Sequence, residues 1–335
     1  MPGTKQIRIG VVGCGNVARQ LHLPWINATR GIRAAALFDV VAERGRELRN
    51  DLAPEAKLFD DYDAMLKSGI NAVAICTPNH LHARLSIRAL EAGMHVLCEK
   101  PMAGTVADAT RMIEAAERNG LVLHINQTLR YHPLWRRVQR LSRPKHIGEL
   151  SHMRFLRAGY LDPASVERPD RKWFFTQKAQ GGILLDLGIH AADLMLWIGG
   201  RVTEVAAFTE TSGRGMKTPD NARALLRFEN GATGVLEMSW TMPAGAGHTE
   251  IYGARGRLRV VERSVELTRR TARGECAKLH PRYRRCTTSY RAFVKAVRGE
   301  APSPTPGELG RRALAVCEAI SQSGKNGSLV PVSPL

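Results

Sequence analysis

The segment Val11-Val12-Gly13-Cys14-Gly15-Asn16-Val17-Ala18 constrains the fold more than any other stretch of the 335-residue chain. It follows the apolar run Ile7 to Val12, which reads as a buried strand, and it opens a helical pattern. A G-x-G-x-x-A pattern in that setting puts small residues where the chain must turn tightly, approach a ligand and pack closely. Gly13 permits the turn, Gly15 lets the backbone approach a pyrophosphate, and Ala18 lets helix lie close on strand. The pyrophosphate rests on the helix N-terminus, to which Asn16, Val17 and Ala18 belong, because orphan N–H groups and the helix dipole there favour an anion. Asp39 ends the second strand-like run, about 20 residues past the loop, where a carboxylate can bind adenosine ribose hydroxyls. The expected ligand is a nicotinamide dinucleotide. Asp39 would repel a 2′-phosphate and so favours NAD, and Arg44 close by leaves NADP open.

The pattern around this loop repeats. Apolar runs Ala34 to Phe38, Ala72 to Ile75, His95 to Cys98 and Leu121 to Ile125 alternate with amphipathic stretches Val40 to Asn50, His80 to Ala92 and Thr105 to Asn119. Strand and helix in alternation predict an α/β domain, a doubly wound parallel sheet of Rossmann type, over residues 1–126. Gly93 and Gly120 stand where left-handed helix ends are expected. Beyond residue 126 the order changes. Leu150 to Arg157 reads as a strand and Gly182 to Gly199 as one long apolar helix. Val202 to Phe208, Ala222 to Phe228, Ala232 to Trp240 and Thr249 to Tyr252 follow as strands, with Glu229-Asn230-Gly231 a turn between two of them. Strands without intervening helices predict an antiparallel sheet, hence a separate α+β domain over 127–335. Helices over Tyr290 to Arg298 and Pro306 to Ser323, separated by a proline-rich stretch, close the chain.

Composition narrows the setting. No stretch approaches the roughly 18 to 20 unbroken apolar residues of a membrane helix, and the first residues do not read as a secretory signal, so a soluble cytoplasmic protein is expected. The six cysteines include no Cys-x-x-Cys pair, which indicates neither a disulfide framework nor a zinc site. A balance of 49 basic to 31 acidic residues gives a net charge of +18. Nucleic-acid binding is one reading of that charge, but the basic residues are scattered. Their densest cluster, Arg269 to Arg285, holds Gly274 and Pro281 and reads as an exposed connection with one aromatic, Tyr283, too little for a stacking platform.

Three further segments carry chemistry. Thr77-Pro78-Asn79-His80 and Cys98-Glu99-Lys100-Pro101 both end strands, and ligands bind at the carboxyl ends of such parallel sheets. Thr77, Pro78 and Asn79 can wrap a cofactor, while Asn79 and His80 can equally cap a helix. An ammonium at Lys100 can polarise a substrate oxygen, though a lysine at a strand end can also be simply solvated. Asp186 and His190 are four apart in an otherwise apolar helix and so share one face. They suit proton transfer to or from an alcohol, or a buried hydrogen-bonded pair.

Taken in order, the glycine loop, T-P-N-x-x-H (Thr77 to His82), E-K-P (Glu99 to Pro101) and G-G-x-x-x-D-x-G-x-H (Gly181 to His190) resemble the Gfo/Idh/MocA oxidoreductase family over nearly the whole chain. Arg130-Tyr131-His132-Pro133 is similar to that family's R-x-x-P. The resemblance implies a Rossmann domain plus a domain with a large, mostly antiparallel open sheet that forms a homodimer or homotetramer contact. It adds His82 and Glu99 to the cofactor site. It implies Lys100 placing substrate and nicotinamide, Asp186 binding substrate or tuning the base, and His190 as the acid/base. Arg130, Arg157 and Trp173 are candidate contacts to a sugar- or polyol-like substrate. The activity implied is hydride transfer between nicotinamide and a secondary alcohol or carbonyl. Transient-redox cleavage of glycosides, a cofactor-sensing regulator and a nucleic-acid binder stand as rivals. Gln180, where many members have glycine, and Gln127-Thr128-Leu129 depart from the pattern.

Overall fold

The computed structural model describes residues 6–161, 181–213, 215–261, 264–270, 276–279 (backbone only) and 288–335. Trp173 and Gln180 lie outside the described residues. By packing the chain forms two units, Met1–Gln127 with Thr287–Arg311, and Thr128–Cys286 with Arg312–Leu335. A linear division at residue 126 leaves 287–311 with the second domain, whereas packing joins that segment to the first.

In the first unit β1 (Ile7–Val12) leads through a π-helical turn (Ala18–His22) into α1 (Leu23–Asn27). Then come β2 (Ile32–Phe38), α2 (Ala42–Leu52), β3 (Lys57–Phe59), α3 (Tyr62–Leu66) and β4 (Ala72–Ile75). They are followed by α4 (Asn79–Glu91), β5 (His95–Cys98), α5 (Val106–Arg118) and β6 (Leu123–Ile125). The sheet order is β3-β2-β1-β4-β5-β6, all parallel. Every residue of β4 is buried, as expected when helices cover both faces. Thr105 caps α5 by accepting from Asp108 N at 3.1 Å, and Gly93 and Gly120 take positive φ as their positions require. β3 was not legible, since three residues of Lys-Leu-Phe carry no periodicity. The core of Ile9, Val11, Leu23 and Leu97 is completed by Tyr290 and Phe293 from α9 (Ser289–Val297) in the returning segment.

The second unit opens with a 3-10 turn (Thr128–Tyr131), α6 (Pro133–Leu141) and α7 (Pro144–Ile147), then β7 (Leu150–Ala158). The expected single helix from Gly182 is a π-helical turn (Leu184–Gly188) running into α8 (Ile189–Gly199). Next are β8 (Val202–Glu210), β9 (Asn221–Phe228), β10 (Thr233–Ser239), β11 (Gly247–Gly253) and β12 (Gly256–Val261). β13 (Ser264–Arg270) and β14 (Cys276–Leu279) follow, and α10 (Gly307–Asn326) and β15 (Val330–Pro331) end the chain. The sheet order is β14-β13-β12-β11-β7-β10-β9-β8-β15. Only β7 and β10 pair in parallel among the described strands. The exposed connection expected over Arg269 to Arg285 is corrected in part: Arg269 and Arg270 end β13, and Cys276–Leu279 is β14. Strands with one solvated face carry few apolar residues; β13 has Val265 and Leu267 alone inward, so its run of polar residues hid it. α8 lies close on the sheet: a Cβ on Gly199 would stand 2.7 Å from Met153 Cε and from Phe228 Cε1.

The other face of this sheet is open. Across it run Arg154–Glu237 (3.4 Å), Arg223–Glu237 (3.8 Å), Arg227–Glu204 (2.8 Å) and Arg257–Glu266 (3.5 Å). Phe208 and Leu225 stand in it at 75% and 60% exposure.

Candidate active site

The glycine loop of the first unit is built around Asp39. Its carboxylate accepts from Cys14 N at 2.7 Å and from Val41 N at 2.8 Å, and Gly13 N donates to Phe38 O at 2.8 Å. These bonds tie the loop after β1 to the end of β2. Gly13 has φ +90°, and a Cβ on it would lie 2.9 Å from the main chain of Cys76, so only glycine fits. Burial first, then the Asp39 charge, push the Cys14 thiol up to about 12, which makes it a small buried hydrophobe.

Val12 aligns with Ile75, Ile75 with Cys98, and Cys98 with Ile125, so the carboxyl ends of β1, β4, β5 and β6 share one edge. Just beyond that row lies a buried polar network. Glu99 Oε1 meets His22 Nε2 at 2.8 Å and accepts from Asn126 Nδ2 at 2.5 Å, while Oε2 accepts from Lys100 N at 3.1 Å. His22 Nδ1 lies 2.7 Å from Tyr290 Oη. Burial alone would raise the Glu99 carboxyl, but the hydrogen bond and charge of His22, helped by Asn126 and the Lys100 charge, hold it at about 2. An ionised Glu99 only accepts, so His22 Nε2 carries the proton, and in a neutral ring Nδ1 accepts from Tyr290 O–H. Burial keeps that phenol protonated by raising its pKa well above the usual value.

His82 and Glu99 thus act through their neighbours. Both His82 nitrogens meet main-chain oxygens, Pro101 O and Thr77 O, each at 2.7 Å. The ring therefore ties the turn after β4 to the E-K-P turn. Pro78 precedes α4 and Asn79, itself buried, is its first residue. Lys100 is partly exposed beside its network.

In the second unit Asp186 sits in the π-helical turn and His190 in the first turn of α8, both partly exposed. π-helical turns recur at functional sites, and here one precedes each of His22 and His190 or contains it. Asp193 and Trp197 continue the same face at helical spacing. Arg130 Nε donates to Asp193 Oδ2 at 2.8 Å and Oδ1 at 3.0 Å, and its guanidinium lies 5.1 Å from the Trp197 ring centre. Arg130, proposed as a substrate contact, is thus 8% exposed and bound to a helix neighbour of His190. Burial raises the Asp193 carboxyl, partly offset by the Arg130 charge and hydrogen bond. Arg157 shares the strand face of Met153 and Phe155, yet is exposed at the end of β7.

Reasoning from sequence missed His22, Asn126, Tyr290, Asp193 and Trp197. Polar residues inside apolar helices were the available signal for His22 and Asp193, but their partners are remote in the chain.

The residues present fit a nicotinamide dinucleotide. A Cβ on Gly15 would meet no atom within 4 Å, so the loop leaves open space where the motif expects a pyrophosphate. Thr77 Oγ1, at the carboxyl end of β4, is buried without a hydrogen-bond partner, as are Asn126 Oδ1 and both amide atoms of Gln127. Among the described residues, no three His, Cys, Asp or Glu side chains are grouped to hold a metal, and no helix is long and apolar enough to cross a membrane.

A model of an oxidoreductase family with an NAD-binding Rossmann fold matches residues 7–127, and a GFO/IDH/MocA C-terminal domain model matches residues 135–259. The chain is 28% identical to a 1,5-anhydro-D-fructose reductase of Ensifer adhaerens, over 97% of this chain and 98% of that one. It is 29% identical to a myo-inositol 2-dehydrogenase of Thermotoga maritima, over 95% and 96%. Among solved structures, the WlbA dehydrogenase of Bordetella pertussis, in complex with NADH and UDP-GlcNAcA, shares the fold with a TM-score of 0.85. That match is 24% identical over 99% of this chain and 100% of the other.

Proposed function

The chain belongs to the Gfo/Idh/MocA oxidoreductase family, and from that premise we propose how its residues carry out NAD(P)-dependent oxidation and reduction of a sugar- or polyol-like secondary alcohol. Asp39 binds the adenosine ribose, and the loop from Gly13 to Ala18 receives the pyrophosphate on its main-chain N–H groups. Thr77, Pro78 and Asn79 line the next strand end. When bound, the dinucleotide supplies the hydride or takes it up.

His190 removes the hydroxyl proton in oxidation and returns it in reduction, as an imidazole near its ordinary pKa can. Asp186, one helical turn earlier, orients that ring or binds a neighbouring hydroxyl. Lys100 offers its ammonium to the reacting oxygen and favours negative charge there. Glu99 holds Lys100 through the main chain, and Arg130 fixes α8 by gripping Asp193. The observation that carries this reading is the pair Asp186 and His190, partly exposed at the start of an otherwise apolar helix. Polar groups there cost packing without serving it.

The open sheet face, with its alternating Arg and Glu and exposed Phe208 and Leu225, is the surface through which the chain forms a homo-oligomer. Both signs of charge on one patch suit a self-complementary contact.

Purified His190→Ala and Lys100→Met variants test the catalytic roles against a panel of sugars and inositols. Each should lose about 10²- to 10⁴-fold in kcat while binding NADH within a few-fold of the parent. Wild-type turnover in His190→Ala would remove that residue from the chemistry.

A further inference from the structure

Gln127 is 1% exposed, and neither its Nε2 nor its Oε1 has a hydrogen-bond partner. Each orphaned buried atom costs about 1–3 kcal/mol, so a carboxamide with both ends unmet is a poor choice for packing alone. The backbone beneath it is fixed: Gln127 N donates to Ile125 O at 2.7 Å in a tight turn, and Asn126 N donates to Cys98 O at 2.8 Å.

Its place in the sheet narrows what it can meet. Ile75, Cys98 and Ile125 form one paired row across β4, β5 and β6. Two residues beyond that row stand Thr77, Lys100 and Gln127, respectively. The sheet order puts β2 with Asp39 on one side of β1, and β4, β5 and β6 on the other. A dinucleotide crossing the switch point with its adenosine at Asp39 therefore presents its nicotinamide half to the second group. Phosphates only accept hydrogen bonds. The nicotinamide carboxamide offers a donor beside an acceptor, which is the complement of a glutamine amide.

We propose that Gln127 recognises the nicotinamide carboxamide, its Oε1 accepting from the cofactor's NH₂ and its Nε2 donating to the cofactor's carbonyl. This rests on the NAD-dependent reading above. It assigns a role to the Gln-Thr-Leu departure from the family pattern, and it makes Gln127 a binding residue that orients the ring rather than an acid or base.

The test is a cycle of two proteins and two cofactors. NADH and reduced 3-acetylpyridine adenine dinucleotide, whose methyl ketone lacks the NH₂ donor, are titrated by calorimetry into wild type and Gln127→Met. Wild type should bind NADH about tenfold more tightly than the analogue, the effect of one buried hydrogen bond. In Gln127→Met the two affinities should fall within about twofold of each other. The apo variant should unfold at a temperature no lower than wild type, because two orphaned polar atoms are gone. Equal discrimination in both proteins overturns the proposal. So does a variant that binds NADH and the analogue as wild type does but loses affinity for a sugar substrate. A variant that discriminates less only because it unfolds at a lower temperature also counts against it, as a structural role predicts that. Failure of wild type to bind NADH would instead bring down the reading on which the proposal rests.

Discussion

Replacing Glu99 by Gln separates charge from shape in the buried network behind Lys100. The carboxylate accepts from His22 Nε2, Asn126 Nδ2 and Lys100 N, and it is 7% exposed. Its pKa falls from an ordinary 4.5 to about 2. A folded pKa below the unfolded one means stability that is present above pH 4.5 and lost as pH falls through about 2. Two and a half units at 1.36 kcal/mol each give about 3 kcal/mol at pH 7. Glutamine can keep its carbonyl toward His22 and Asn126, but its NH₂ then faces the Lys100 N–H, donor against donor. Urea unfolding, with amide exchange to isolate the first unit, should show Glu99→Gln less stable by about 3 kcal/mol at pH 7. The gap should close between pH 4.5 and 2 as the wild-type carboxylate takes up its proton. A gap that stays constant with pH would mean lost packing rather than lost charge, and would refute the reasoning.

Three other perturbations follow from the same geometry. Asp39→Ala removes the acceptor for Cys14 N and Val41 N together with the ribose ligand, so NADH affinity should fall at least tenfold and the NADH-to-NADPH preference shrink, by fluorescence titration. Arg130→Met leaves Asp193 buried without its cation and should cost about 3–5 kcal/mol in urea unfolding, whereas Arg130→Met with Asp193→Leu should recover most of that loss. Leu225→Glu puts a like charge among the acidic members of the open sheet face and should shift the sedimentation profile toward the monomer, while a profile unchanged by it would move the contact elsewhere.

The first unit was readable because its signals are local. A glycine loop, the strand before it and Asp39 are fixed by nearest-neighbour geometry, and Gly13 meets Cys76 as the motif requires. β12, β13 and β14 were not readable, because a half-solvated strand such as Ser264–Arg270 shows charge where a strand reader looks for apolar runs. The returning segment was misplaced for another reason. The apolar face of α9 says that it is buried, but not that Tyr290 will reach His22, 268 positions away. The supporting residues of the site share that difficulty: Glu99 and Lys100 are adjacent in a motif, while the groups that hold them arrive from α9, β6 and the first π-helical turn. The π-helical turns have no sequence mark of their own, and they alter which side chains face inward just where function is proposed.

The most direct measurement is NADH fluorescence on the purified protein, first in titration and then on addition of sugars, inositols and nucleotide sugars. The account predicts saturable NADH binding, with NADH consumed on adding a carbonyl substrate, or formed from NAD on adding the matching alcohol, and this turnover absent in His190→Ala. Binding of neither NADH nor NADPH would contradict it from Gly13 onward, and NADH-dependent turnover that survives in His190→Ala would leave the cofactor site standing but dismiss the proposed acid/base.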